Sequence, residues 1–441
     1  MMANHRREEY AQTLSKLIQA QTVSCRNQTD LSAFYAFHQL LRETFPHLFA
    51  VCEYEDFSGA ILLRWKGSDS KKLPLLFMNH HDVVEAAGPW KYPPFSGTVA
   101  EGKVWGRGTL DTKGGLWAML QAAEELAAEG FAPAQDIYFE SARDEENDSL
   151  TADAISQELV RRGIRFSLVL DEGGMVLSEP IPGAKGTFAM IGVAEKSYID
   201  MKFTARSSGG HASTPGKNTP LVRLGRFMAE IEDRSPFTAE VSPAVAEMLH
   251  RVAPSVDGAL GGVLGRADKM KWLLQRAMPK VSPVAGAMIQ TTLAFTMAQG
   301  SEGRNVLPQE AWVIGNMRCS HHQGCEGSVA AVKQVADKYG IEVEILEDGF
   351  PSPVSDYNSE AFRTVERAIR SVYPDVVPAP YIMTGATDSR FMSRVCDNCL
   401  RFLPFKVSDE QVESIHGLNE NVDVESLVPA VDFYKFIMKG N

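Results

Sequence analysis

Between Ala60 and Gly174 the chain alternates short apolar runs with helical patterns. The runs are "AILLRW", "KLPLLFMNH", "DIYFESA" and "FSLVLDEGG"; the helical stretches "KGGLWAMLQAAEELAAEGF" and "LTADAISQELVRRG" separate the last three. This alternation predicts an α/β fold with a largely parallel sheet flanked by helices. In such sheets functional groups collect beyond the carboxyl ends of the strands. Groups that are costly to bury stand there in this chain: His80 and Asp82 after one run, Glu145 and Glu146 after another, Asp171 after a fourth. Asp111 lies in a glycine-rich turn before a helix. An unpaired imidazole or carboxylate loses several kcal/mol of hydration in an apolar interior. A bound metal removes that penalty.

At 441 residues the chain exceeds one ordinary core. Its character changes near Glu195, where "SYIDMKFTARSSGG" alternates like a half-exposed strand that can pair at an open edge. The reading is a catalytic domain in two parts, 1–194 and 351–441, with an α+β domain inserted over 195–350 and "FPSPVS" as the exit. The apolar, methionine-containing region from about Phe237 to Met288 reads as core, interface or an adaptable pocket. Net charge is -12 without a basic block, which argues against nucleic acid and acidic membranes as partners. No signal-like or membrane-spanning apolar run is present, so the cytoplasm is the expected compartment. The six cysteines, "CDNC" included, read as thiols, since no second C-x-x-C completes a zinc site.

Strand parity sends His80 and Asp82 to one side and His81, the rival ligand, to the other. An aspartate beside a ligating histidine fixes its tautomer. With Asp111, Asp171, the late His416 and one of the adjacent Glu145 and Glu146, the inventory is two histidines and three carboxylates, and the other glutamate is spare. Such a set fits a two-metal hydrolytic site with ions about 3.5–4 Å apart. Zinc is the expected metal, with cobalt or manganese as alternatives.

The series "HHDVV", "PPFSG", "GRGTLDTKGG", "DEE", "LDEGG", "GGHASTP", "NVLP", "GATDSR" and "IHGLNE" resembles the co-catalytic zinc aminoacylase and carboxypeptidase family. "GRGTLD", "VLDEGG" and "PSPVS" look closest to its carboxypeptidase S and N-fatty-acyl-amino-acid hydrolase branch. The resemblance implies a zinc-exopeptidase-like fold with a lid or dimerisation domain. It assigns His80 and Asp171 to one zinc, Glu146 and His416 to the other, and Asp111 as the bridge. Asp82 would orient His80, and Glu145 would act as general base and acid. His211 would polarise the oxyanion from the smaller domain, Asn305 and Arg318 would contact substrate, and Gly385 would offer backbone to it. A cis peptide after Asp111 is a further family trait. Asn79, where glycine is frequent, and Glu85, where proline is usual, depart from the pattern.

The implied reaction is metal-dependent hydrolysis of an amide next to a free carboxylate, in a peptide or an N-acyl amino acid. The alternatives are a catalytically silent binding relative and a phosphoester hydrolase; the latter lacks a basic cluster for phosphate. The family commonly pairs subunits through the small domain, so a homodimer with His211 acting in trans is expected. A second internal lobe that imitates the partner is the monomeric alternative.

Overall fold

The computed structural model describes residues 2–181, 183–350 and 352–441. Alternation decides its layers. In the strand Leu75–Met78, Leu75 and Phe77 enter one core while Leu76 and Met78 enter the core on the opposite face. Leu168 and Leu170 part from Val169 in the same way. Both faces are covered, which is why these runs are apolar throughout. Helices Lys113–Ala128 and Val424–Met438 pack together over the first face. Helix Leu150–Arg161 covers the second with Ile155 and Leu159.

Among the described residues the main sheet has ten strands. In spatial order they are Cys52–Phe57, Ala60–Trp65, Ile137–Ser141, Leu75–Met78, Leu168–Asp171, Cys399–Arg401, Thr187–Glu195, Val176–Ser178 and Lys406–Val407, with Val377–Met383 also pairing Thr187–Glu195. The middle four, from Ile137–Ser141 to Cys399–Arg401, run parallel, and antiparallel pairs flank them. This is the expected α/β architecture. The carboxyl ends of the parallel strands open together on one edge.

A second, four-stranded antiparallel sheet has its own core. Its order is Thr292–Gln299, Glu310–Cys319, Ser197–Arg206 and Glu342–Asp348. Helices Pro220–Asp233 and Gly324–Lys338 pack on one face. Two expectations change here. Ser197–Arg206 is an inner strand paired on both sides, not an open edge. Its alternation of buried Ile199, Met201, Phe203 and Ala205 reports the covered face and carries no information about its edges. Thr292–Gln299 is an outer strand instead.

The insertion is also not one block. Helices Pro243–Val252, Gly258–Leu264, Lys271–Val281 and Pro283–Ala287 return to the catalytic body, where Val245, Met248, Leu249 and Val252 share the main core with Ile191 and Val365. The chain thus leaves for the small sheet twice. Pro351, in the expected exit stretch, lies outside the described residues.

Buried side chains tie the crossings. Lys196 Nζ donates to the carbonyls of Ala287 (3.0 Å) and Gln290 (2.8 Å). Arg401, fully buried, donates to Glu195 Oε2 (2.9 Å) on the way out and to Ser352 Oγ (3.0 Å) on the way back. Glu195 Oε2 also accepts the Thr387 N–H (3.0 Å).

Candidate active site

The pairing of Leu75–Met78 with Ile137–Ser141 continues past the strand ends. Asn79 N–H donates to the Glu140 carbonyl and His81 N–H to that of Ala142. Side-chain parity therefore persists to Asp82. His81 turns away into an aromatic pocket, stacked on Phe37, with Nδ1 2.8 Å from Ser141 Oγ. His80 turns to the open edge. Its Nδ1 lies 3.0 Å from the Asp82 carbonyl and 3.2 Å from Asp82 Oδ1, so the proton on Nδ1 is held and Nε2 faces the other ligand candidates.

Nε2 of His80 is 3.0 Å from Asp111 Oδ1, 3.5 Å from Glu172 Oε1 and 3.8 Å from Glu145 Oε2. The second oxygen of Asp111 is 2.9 Å from His416 Nε2, which is itself 2.9 Å from Glu146 Oε2. One carboxylate thus sits between two imidazoles. A cis peptide joins Asp111 to Thr112. Asp82 organises the group further. Its two oxygens accept the N–H groups of Glu145 (3.2 Å) and Glu146 (3.1 Å), and Ser24 Oγ donates to it (2.6 Å). One buried aspartate therefore orients the histidine and the turn that carries both glutamates.

Asp171 is the expected ligand that the structure does not bring in. It ends its strand on the face of Val169, and its oxygens accept the N–H groups of Glu172 (2.9 Å) and Ser389 (2.8 Å). Glu172, one residue past the strand, turns to His80 in its place. Among the described residues, ligand-capable atoms converge in two groups, His80 with Asp111 and Glu146, and His80 with Glu145 and Glu172.

The electrostatics describe a site short of positive charge. Burial holds the Glu145 carboxyl well above its ordinary value, and Asp388, Glu172 and Glu146 add to this against the pull of His80. Burial pushes Glu172 up to about 8. Asp111 and Glu146 raise His416 to about 10. Among the described residues Glu146 Oε1 is buried without a hydrogen-bond partner. Carboxylates left this crowded in low dielectric are stabilised by external cations. The donor set of imidazole nitrogen and carboxylate oxygen, without thiolate, fits divalent ions of the zinc, cobalt and manganese kind.

The sequence matches the model of "Peptidase family M20/M25/M40" over residues 76–440. The chain belongs to this peptidase family. It is a metal-dependent hydrolase of the amidohydrolase and exopeptidase kind. It is similar to a probable carboxypeptidase S-like protein of Dictyostelium discoideum, 29% identical over 98% of this chain and 85% of that one. It is also 29% identical to the N-fatty-acyl-amino acid synthase/hydrolase of Homo sapiens, over 96% and 86% of the two chains. The fold resembles a metallo-carboxypeptidase of the same family from Sulfolobus solfataricus (TM-score 0.70, 16% identity, 98% of both chains). It also resembles human carnosine dipeptidase 1 (TM-score 0.66, 17% identity, 99% and 96%).

The remaining candidates of this peptidase have partners of their own. His211 is exposed on a two-residue strand paired with Val306–Leu307, and its Nδ1 is 2.6 Å from Ser213 Oγ. Asn305, also exposed, accepts the Ala212 N–H at its carbonyl. Arg318 is half-buried, donates to Asn316 Oδ1 (3.0 Å) and lies over the Tyr198 ring. Gly385 is exposed in the loop that leads to Ser389. Among the described residues none of the four is hydrogen-bonded or ion-paired to His80, Asp111, Glu145, Glu146, Glu172 or His416.

One pair escaped the sequence reading. Glu420, fully buried, accepts from Arg107 Nη1 (2.7 Å) and from the N–H groups of Gly108 (3.1 Å), Leu110 (2.8 Å) and Asp111 (3.1 Å). Arg107 Nη2 donates to the Gly417 carbonyl (2.9 Å). The pair locks the loop of His416 to the loop of Asp111. Both residues stand inside the quoted motifs, but no local spacing signals a contact across 313 positions.

Proposed function

We propose that the peptidase hydrolyses the amide bond of a peptide or N-acyl amino acid next to a free carboxylate, using two divalent ions, zinc by preference. The observation that carries this reading is Asp111, whose two oxygens each meet a different histidine. His80 and Glu172 would hold one ion and Glu146 and His416 the other, with Asp111 available to both; Glu172 would take the place expected for Asp171. Ions bound there supply Lewis acidity toward the scissile carbonyl and make an attacking water acidic enough to ionise near neutral pH. Glu145, with a carboxyl already held high, accepts the proton of the attacking water and returns it to the leaving nitrogen. Asp82 keeps His80 and both glutamates in register.

Arg318 clamps the substrate carboxylate, Asn305 and the backbone at Gly385 contact the substrate, and His211 donates to the oxyanion. The exposure of His211 supports delivery from a partner subunit in a homodimer. Among the described residues no helix is long and apolar enough to cross a membrane. The thiols Cys25, Cys52, Cys396 and Cys399 support a reducing, cytoplasmic compartment, which cell fractionation checks. The silent-relative alternative has no observation in its favour.

The test is elemental analysis with a panel of dipeptides and N-acyl amino acids. The metal-loaded protein should carry two ions per chain and turn over part of the panel. Asp111→Ala should lose both ions together with activity, because the bridge is shared. Full metal content and turnover in that variant would overturn the assignment.

A further inference from the structure

A short segment after the first helix, Met2–Ile18, braces the centre from outside it. Residues 22–24 lie parallel to residues 81–83, with Val23 bridging Val83. The Val83 N–H donates to the Thr22 carbonyl (3.0 Å) and the Ser24 N–H to the Val83 carbonyl (3.3 Å). The Thr22 hydroxyl donates to the His81 carbonyl. Thr22, Ser24 and Asp82 are all buried. Ser24 then closes a ring of side chains. Its Oγ donates to Asp82 Oδ2 (2.6 Å) and accepts from Asn147 Nδ2 (2.5 Å). The same Asp82 oxygen accepts the N–H of Glu146, the residue before Asn147 (3.1 Å). A hydroxyl suits this place because it accepts from an amide and donates to a carboxylate at once. Two residues on, Arg26 pairs with Asp148 (3.1 Å), so the segment meets the turn of Glu145 and Glu146 a second time.

We infer that Ser24 is a positioning residue of the peptidase: its hydroxyl holds Asp82 and the Glu145–Glu146 turn in one geometry, and so sets the affinity of the centre for metal. The inference rests on the proposed metal centre and adds to it a residue outside the region that matches the family model, residues 76–440. Asp82 is the point where the two halves of the ligand set meet, since its oxygens face His80 Nδ1 and the N–H groups of both glutamates. Without the Ser24 hydroxyl, Asp82 Oδ2 keeps only the Glu146 N–H, and Asn147 Nδ2 loses its acceptor. The carboxylate is then held on one side alone, and the turn of Glu145 and Glu146 loses the side-chain half of its anchor. His80 keeps the Asp82 carbonyl (3.0 Å). The loss therefore falls first on the glutamates. Ser24 touches neither ion nor substrate in this role; it acts through Asp82.

Calorimetric titration of the metal-free full chain with zinc tests the inference, beside steady-state kinetics of the zinc-loaded chain on dipeptides and N-acyl amino acids. Ser24→Ala should weaken zinc binding about 10–100-fold, as the loss of an outer partner of a metal ligand does. It should lower kcat and leave KM nearly unchanged, because no substrate contact is removed. Ser24→Thr keeps the hydroxyl and should restore zinc affinity. Asn147→Ala, at a half-buried position, opens the ring from its other side and should also weaken zinc binding. The two alanine changes together should cost little more than either alone, since both act through one oxygen. Thr22→Val is the control: it removes a buried hydroxyl bond from the same segment without reaching Asp82, so it should lower the melting temperature and leave zinc affinity as it was. Unchanged zinc affinity in Ser24→Ala, an equal loss in Thr22→Val, or a Ser24→Thr protein no better than Ser24→Ala would overturn the positioning role. Weakened zinc binding in Ser24→Ala, with no amide turned over by the unsubstituted chain, would leave that role standing and overturn the proposed reaction.

Discussion

Replacing Glu420 by glutamine should disable the centre without touching a ligand candidate. The side chain is 0% exposed, and its partner Arg107 only 2%. Burial pushes the Glu420 carboxyl up from its ordinary value, while Arg107 and the N–H groups of Leu110 and Gly108 pull it down. The amide of glutamine keeps one acceptor oxygen but turns an NH₂ group toward donors. Arg107 is then a buried cation without a counter-charge. Breaking one partner of a buried pair costs about 3–5 kcal/mol, a large share of the roughly 5–15 kcal/mol that holds a protein folded. The loss falls on the joint between the loops of Asp111 and His416, so metal should leave before the chain unfolds. Elemental analysis and thermal unfolding of Glu420→Gln, Arg107→Met and the double variant supply the check. The double variant should recover stability relative to Glu420→Gln, because it removes the stranded charge. A Glu420→Gln protein with full metal content and unchanged melting would refute the reasoning.

Glu145→Gln should keep metal and substrate affinity and lose more than the roughly 10²–10⁴-fold in kcat typical of one proton transfer, since this residue serves two; Glu146→Gln should instead lose metal, and the opposite pattern would exchange their roles. Glu172→Gln should weaken metal binding while Asp171→Asn keeps it, measured by titration of the metal-free protein, and a loss confined to Asp171→Asn would restore the original expectation. Inactive His211→Ala chains mixed with inactive Glu145→Ala chains should regain up to about half activity per heterodimer if His211 acts in trans; no recovery, with subunit exchange confirmed, excludes that arrangement.

The α/β class and the placement of His80 against His81 were legible because strand parity is a local property that survives folding. The Asp171 and Glu172 difference was not, since the two adjoin a strand end, where parity stops and the loop decides which carboxylate turns inward. Glu420 and Arg107 were invisible for another reason: each reads locally as a surface charge, and only the approach of two distant loops buries them together. The alternation of Ser197–Arg206 disclosed its covered face and said nothing of its neighbours in the sheet. Likewise the apolar periodicity of Pro243–Val252 announced a buried helix without naming the body that buries it.

Arg401 joins the outgoing and returning crossings of the small sheet through Glu195 and Ser352. The same Glu195 oxygen grips the Thr387 N–H, and two residues later the Ser389 N–H grips Asp171, the neighbour of Glu172. Both roots of the small sheet therefore sit on the hydrogen-bond chain that reaches the catalytic edge. The points where the small sheet's strand leaves and its chain returns are thus fixed to the same buried ion pair that steadies the 387–389 loop.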